Sequence, residues 1–419
     1  MFVFCTCISV AAFAQPPVIS VAEVTRIETV LAADDMQGRK AGTPGADKAA
    51  AFIAHEFRKA GLQPLKGDSF LQSFQMLRPK LIAQKIEVDD IELNQKNLIV
   101  GTTQKELKVN EKSGYEIAYI NRGETFWPRV QTYLYSGKPT VVFVDTSFSK
   151  DFVQLNNLKR QIMQGEKDWV FVLGTFRPKE FTIKAEHTFD ATRFANVVGV
   201  LPGKTRRSEY VIFSAHYDHL GIGRPQNGDS IYNGANDDAA GTTAVIALAQ
   251  HFAKQKANNR TLIFAAFTAE EVGGFGSQYF SQQLPPDSVV AMVNIEMIGT
   301  DSKWGKNSAY ITGYEKSSLG VLLQQSLQGT AFTFHPDPYP DQQLFYRSDN
   351  ATLARLGVPA HTVSTSKMDN EPNYHKVSDE VETLDLVNMT EIIKAIALSA
   401  ADVISGRVTP TRVDKARLR

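Results

Sequence analysis

Three consecutive apolar runs in this chain each give out at residues able to bind a metal ion. YVIFSA, from Tyr210, leads to His216, with Asp218 two residues on; TLIFAAFT, from Thr261, leads to Glu270 and Glu271; VVAMVNIE, from Val289, ends on Glu296. Runs of this length, rich in β-branched and aromatic residues, are buried strands. In open α/β sheets ligands collect beyond the carboxyl ends of the strands. An acidic pair, Asp237 and Asp238, follows a turn-rich loop and opens a small-residue helical pattern, and His375 lies in the polar stretch NYHKVSDE after the run AHTVST. Any one of these acids alone is an ordinary solvated charge at a strand end. Carboxylates scattered at random would fall on helix faces, so the set together points to a metal site.

Without thiolate, zinc takes nitrogen and oxygen ligands, and a catalytic site keeps one position open. Two ions about 3.5–4 Å apart need a shared group, and a carboxylate can give one oxygen to each. His216, Asp237, Glu271, Glu296 and His375 supply five ligands; with one of them shared, they make two three-ligand sites. Glu270 stands next to a ligand without being needed as one. It is placed to act as general base toward a metal-bound water, whose pKa falls to about 7. Asp218 suits a supporting role, fixing the tautomer of His216 through its other ring nitrogen. His219, Asp238 and Asp301 keep ordinary structural readings, as do His55, His187, His251, His335 and His361.

The elements that must position these groups alternate strand with helix, which calls for a mixed, largely parallel sheet with right-handed crossovers. Helices are expected over 239–254, 276–283, 319–327, 350–356 and 386–404, with further strands at Ala309 and Ala360. Residues 21–61 read as helices around the turn-prone GRKAGTPG, with Gly61 as a stop signal. Between 77 and 194 the texture changes to short strands and one helical stretch over 151–163, with no convergent set of acids and histidines. This reads as an inserted lid or protease-associated-type domain, with a continuation of the main sheet as the alternative. Phe126, Trp127 and Tyr133 within it could line a pocket, although such clusters are more often core.

Lysine plus arginine, 45, equals aspartate plus glutamate, 45, so no global field would draw the 419-residue chain to nucleic acid or an anionic surface. GVLPGKT from Gly199 has three residues where a phosphate-binding loop needs four, and Pro202 removes an amide from the cradle. Gly221-Ile222-Gly223 lacks the third glycine of a dinucleotide fingerprint. Residues 2–14 are mostly apolar and close in Ala12-Phe13-Ala14, as a secretory signal does. Both cysteines, Cys5 and Cys7, fall inside it, so a secreted or periplasmic mature chain would have neither disulfide nor thiolate ligand. No other segment is long and apolar enough to anchor the chain in a membrane.

HYDH, NGANDDAAG, AEEVGGFGS, VNIEMIG and YHKVSDE, in this order, resemble the co-catalytic dizinc exopeptidases of the bacterial leucyl aminopeptidase type, metallopeptidase family 28. The likeness is good over about 191–404, moderate in the N-terminal helices and poor in the insert. It implies a zinc exopeptidase fold of the phosphorylase/hydrolase-like kind and two zinc ions. His216, Asp237 and Glu296 would hold one, Asp237, Glu271 and His375 the other, with Asp237 bridging. Glu270 would be the base, Asp218 would orient His216, and Tyr374 would offer a hydroxyl to the tetrahedral intermediate. The peptide after the bridging aspartate is expected in cis. Many relatives have aspartate where this chain has Glu296, which changes ligand reach. The domains implied are a signal at 1–14, an N-terminal helical part at 15–76, the lid at 77–194, the zinc peptidase domain at 195–405 and a flexible tail at 406–419. The expected activity is release of N-terminal residues from peptides through a zinc-bound hydroxide. The rivals are a carboxypeptidase, with Arg347 to hold the free carboxylate, a one-zinc glutaminyl cyclase, and a non-catalytic ectodomain resembling transferrin receptor.

Overall fold

The computed structural model describes residues 19–134 and 136–418. The expected signal segment, with both cysteines, lies outside them. Arg206–His216 is the central strand, flanked in parallel by Arg260–Phe267 and Val289–Ile295, and Ala360–Ser364 continues the parallel set beyond Val289–Ile295. Ser308–Ile311 then runs antiparallel to Ala360–Ser364, and on the other side Phe181–Leu201 runs antiparallel to Arg260–Phe267. The sheet is therefore mixed with a parallel centre, as the alternation of elements requires.

Successive residues of a strand face opposite sides. Val211, Phe213 and Ala215 thus enter the larger core, beneath the helices Val21–Leu31, Pro44–Ala60, Ala240–Gln255 and Leu386–Ser399. Ile212 faces the smaller one, with Phe267, Phe280 and Leu353. With both faces covered, side chains at the ends of the parallel strands are placed to reach a cleft. Pro44 starts its helix, where a missing amide costs nothing, and Gly61 ends it at φ 83.

One carboxylate is sealed inside the larger core. Glu28 is fully buried and accepts the Thr243 hydroxyl at 2.7 Å. Burial pushes its carboxyl up to about 8, against the pull of Thr243 and of the Arg39 charge. Its folded pKa is thus above the unfolded value of about 4.3, so its contribution to stability is full below that value and is lost as pH rises toward 8. Glu28→Gln keeps the acceptor and removes the proton linkage. Denaturant unfolding of parent and variant at pH 5 and pH 8 should show the variant gaining on the parent at pH 8.

The insert has its own cores, around a four-stranded sheet ordered Leu98–Gly101, Trp169–Leu173, Thr140–Val144, Glu116–Ile120. Leu71–Val88 and Phe181–Leu201 pair from Leu71 with Val197 to Val88 with Phe181, so two continuous strands run through the expected boundaries at 77 and 194. Phe126 and Tyr133 pack in a core of the insert, and Trp127 is partly exposed on its surface beside Phe126. Phe126 and Tyr133 thus take the core reading rather than the pocket one. The helix expected over 151–163 is a short helix Ser149–Phe152, a 3-10 turn Val153–Asn157 and a strand pair at Ile162–Met163. The tail is docked rather than free. Val413 is 4% exposed and its amide donates to Gly357, Arg412 donates to the Val289 carbonyl, and Thr409 accepts from buried Arg260.

Candidate metal centre

His216 ends its strand with the ring turned so that Nδ1 lies 3.0 Å from the Asp218 carbonyl. Nε2 is left to face Asp237 Oδ1 at 3.3 Å. The backbone of Asp218, and not its carboxylate, therefore fixes the tautomer. The turn after the strand folds the carbonyl back onto the ring, while the Asp218 carboxylate points across to the next strand end and accepts the Glu270 amide at 3.0 Å. Asp218 thus ties the His216 turn to the Glu270-Glu271 turn.

Asp237 is held from behind. The amides of Asn236 and Asp237 both donate to the Asp379 carboxylate, at 2.8 and 3.0 Å. The Asp237-Asp238 peptide is cis, as the resemblance implies. Asp238, far from being a surface acid, is fully buried and accepts the amides of Gly241 and Met297, each at 3.0 Å. It joins the start of the Ala240–Gln255 helix to the turn after Glu296. Gly241 permits this approach, since a Cβ there would stand 2.3 Å from the Ile295 carbonyl oxygen. Ala269, Met297 and His375 have φ of 60, 52 and 56°. Ala269 precedes the expected base Glu270, Met297 follows the expected ligand Glu296 and His375 is itself an expected ligand, and left-handed backbone costs a non-glycine residue about 1–2 kcal/mol. Strain of this kind gathers at functional sites.

Two donor clusters result, among the described residues: His216, Asp237 and Glu296 in one, His219, Asp237 and Glu271 in the other. His375 joins the second, its Nε2 standing 3.2 Å from Asp237 Oδ2 and 3.3 Å from Glu271 Oε2. The five expected ligands thus meet, with Asp237 common to both clusters. Glu270, Arg347 and Tyr374 line the same cleft. Tyr374 stacks on His375 with ring centres 4.0 Å apart. His219, Asp379 and Arg39 are site residues that the sequence reading passed over. The second histidine of HYDH was the available signal for the first; the other two act through tertiary contacts that no local pattern marks. Of the remaining histidines, His361 is buried between Ser317 and the Thr312 carbonyl, and His335 stacks on Trp304.

The electrostatics follow from crowding. Burial pushes the Asp218 and Glu296 carboxyls up to about 7, and raises Glu270 and Asp238 well above the usual range. Burial also works against ionised Glu271, but contacts with His219 and His375 win and hold it at about 2; Asp237 is held lower still by His216 and His375. His375 is raised to about 10 by Asp237 and Glu271. Carboxylates packed this closely repel one another, and a divalent cation among them would offset that repulsion. Glu296 Oε2 is buried with no hydrogen-bond partner among the described residues. Ligands about 2.0–2.1 Å from a tetrahedral zinc stand about 3.3–3.4 Å from one another. The separations of His216 and His375 from Asp237, 3.3 and 3.2 Å, match that spacing. The residues present fit zinc.

The fold and the donors define the class: a mixed α/β domain presenting, at its parallel strand ends, two clusters of possible metal donors that have Asp237 in common. Residues 196–400 match the model of Peptidase family M28, and the chain carries an M28 peptidase domain over that range. It is 26% identical over 329 residues to Aminopeptidase YwaD of Bacillus subtilis (strain 168), covering 74% of this chain and 67% of that protein. It is 34% identical over 110 residues to a probable zinc metalloprotease of Pyrenophora tritici-repentis (strain Pt-1C-BFP), covering 26% of this chain and 22% of the relative. The match thus spans about a quarter of the length of that relative and of the others like it. The solved structure of BSAP, a zinc aminopeptidase from Bacillus subtilis, shares the fold, with a TM-score of 0.56 over 97% of this chain and 98% of that one at 16% identity. Among the described residues, no helix is long and apolar enough to cross a membrane.

Proposed function

We propose that this protein is a zinc-dependent exopeptidase, an aminopeptidase that releases residues from the N-termini of peptides. The observation that carries the reading is the convergence of Asp237 with two donor clusters, beside a carboxylate, Glu270, that belongs to neither. His216 and Glu296 would hold one zinc, Glu271 and His375 the other, and Asp237 would bridge them. When bound, the two ions supply Lewis acidity toward a water and toward the scissile carbonyl. Glu270 takes the proton of the attacking water and returns it to the departing amine nitrogen. Its amide bond to Asp218 fixes the backbone from which it reaches, and burial keeps it out of bulk water. The Tyr374 hydroxyl, held protonated by burial, donates to the oxyanion that develops on the carbonyl oxygen. Two clusters rather than one favour the peptidase over the one-zinc cyclase, and the complete ligand set with its base favours an enzyme over a binding ectodomain. Secretion rests on the N-terminal segment alone.

The test is mass spectrometry of a peptide with a free N-terminus and its acetylated twin, incubated with the protein with and without chelator. Stepwise loss from the N-terminus of the free peptide only, abolished by chelator, is the expected result. Arg347 lines the same cleft, so the carboxypeptidase reading has an observation behind it. Loss from the C-terminus of both peptides would establish it instead.

A further inference from the structure

His219 is buried to 1% exposure beside the second donor cluster, and none of the roles proposed above uses it. Its ring Nδ1 lies 2.8 Å from Glu271 Oε1. The same nitrogen is 3.9 Å from Asp237 Oδ2, beyond hydrogen-bond reach. Nε2 has no hydrogen-bond partner among the described residues. The ring therefore makes its one polar contact with one oxygen of one ligand, while His375 Nε2 approaches the other oxygen, Glu271 Oε2, at 3.3 Å.

Those two distances separate two roles. Two ligands of one tetrahedral zinc are held apart by the ion between them, at about 3.3 Å or more. A pair at 2.8 Å has nothing between its atoms but the proton, which is hydrogen-bond geometry. His375 is spaced from Glu271 as a fellow ligand, and His219 as a donor to it. The surroundings keep the His219 ring in that one place. A Cβ on Gly234 would stand 2.5 Å from His219 Cγ and Cδ2, so the glycine, at φ 57, leaves room for the imidazole. The ring also meets His375 edge to face, with centres 5.7 Å apart. The His219 amide donates to the Arg39 carbonyl, which anchors the backbone behind it.

Resting on the two-zinc reading above, we infer that His219 is a positioning residue for Glu271. Its Nδ1–H occupies Oε1, so that the carboxylate cannot rotate freely and Oε2 stays with Asp237 and His375 around the second ion. A free glutamate has three rotatable bonds, and Glu271 lies in a turn that continues into exposed Val272 and Gly273. Without a partner for Oε1 that carboxylate would sample several orientations, and the ion held by Glu271 and His375 would be lost first. The His216, Asp237 and Glu296 cluster has no contact with the His219 ring beyond Asp237, so the ion there is spared.

The experiment is stepwise zinc binding by purified parent, His219→Ala and His219→Asn, measured by competition with a chromophoric chelator. Zinc per chain is determined independently by elemental analysis, and far-UV circular dichroism of each metal-free protein confirms folding. Asparagine places an amide N–H close to where Nδ1–H stood; alanine leaves nothing. His219→Ala should bind the first ion as the parent does and the second about 10- to 100-fold more weakly, the range found for lost outer partners of metal ligands. His219→Asn should recover the second affinity to within a few-fold. A folded alanine variant that binds both ions with the parent's affinities would overturn the assignment. So would an asparagine variant as defective as alanine, since the imidazole would then be acting as a ligand itself. A parent chain that takes up only one ion would instead remove the two-zinc reading and this role with it, and it is recognised in the parent before any variant is compared.

Discussion

Glu270→Gln should leave both zinc ions in place and lower kcat by about 100- to 10,000-fold, the range a positioned general base contributes. Metal retention is expected because Glu270 belongs to neither donor cluster, and glutamine keeps its length and its backbone bond to Asp218. The loss should fall on kcat and on kcat/KM alike, leaving KM nearly unchanged, because an amide can still lie against the substrate but cannot take a proton. Glu271→Gln is the control one residue away. It should fail by a different route, losing the ion shared with His375 before any kinetic comparison is possible. The pair therefore distinguishes proton transfer from metal binding at adjacent positions. Elemental analysis with steady-state kinetics reads both. A glutamine variant of Glu270 that retains parental activity would remove the proposed base, and one that loses zinc would make Glu270 a ligand.

Much of this site is legible along the chain. The expected ligands stand where hydrophobic runs end, and a run of buried strand is a local, countable pattern. His216, Glu271 and Glu296 inherit their place from the strands before them, and the small residues after Asp238 mark a helix that must pack closely. What the chain does not display locally is direction and partnership. Whether Asp218 serves His216 with its carboxylate or its carbonyl depends on how the turn folds, and the spacing of two residues suits either. His219 and His375 are equally plausible ligands by residue type; only their distances to Glu271 tell them apart. The two long strands of the arm are hard to read for another reason. From Lys80 to Gln84 the Leu71–Val88 strand is largely exposed, so it carries no alternation of apolar and polar residues there. The tail is equally opaque, since the apolar residues it packs, Val408, Pro410, Val413 and Leu418, follow neither a helical nor an alternating period, and backbone carbonyls take much of its hydrogen bonding.

Arg39→Met should cost about 3–5 kcal/mol of stability, as expected when one partner of a buried charge network is removed. The guanidinium is wholly buried and donates to the carbonyls of Tyr217, Leu31, Asn233 and Gly234. Tyr217 lies between His216 and Asp218, and Gly234 lies three residues before Asp237, so one side chain from the N-terminal segment clamps two of the three segments that carry the first donor cluster. Methionine fills part of the volume but takes the Arg39 donor from all four buried carbonyls, of which Gly234 alone keeps another, the Ala239 amide; each acceptor left bare is a loss of about 1–3 kcal/mol before relaxation. Buried Glu28, Asp379, Asp218 and Asp237 would also lose the positive charge that faces them. Lysine should not rescue the variant, because a single ammonium cannot span carbonyls that the planar fork reaches from several nitrogens. Two measurements check this. The denaturation midpoint of the metal-free protein should fall in both Arg39→Met and Arg39→Lys with little change in slope. Zinc affinity should fall in parallel and at both proposed sites, unlike the one-site defect expected of His219→Ala, because His216 and Asp237, the residue common to both donor clusters, move with the loops. Parental zinc affinity in an Arg39→Met protein of lowered stability would mean that the clamp serves the fold and not the metal centre.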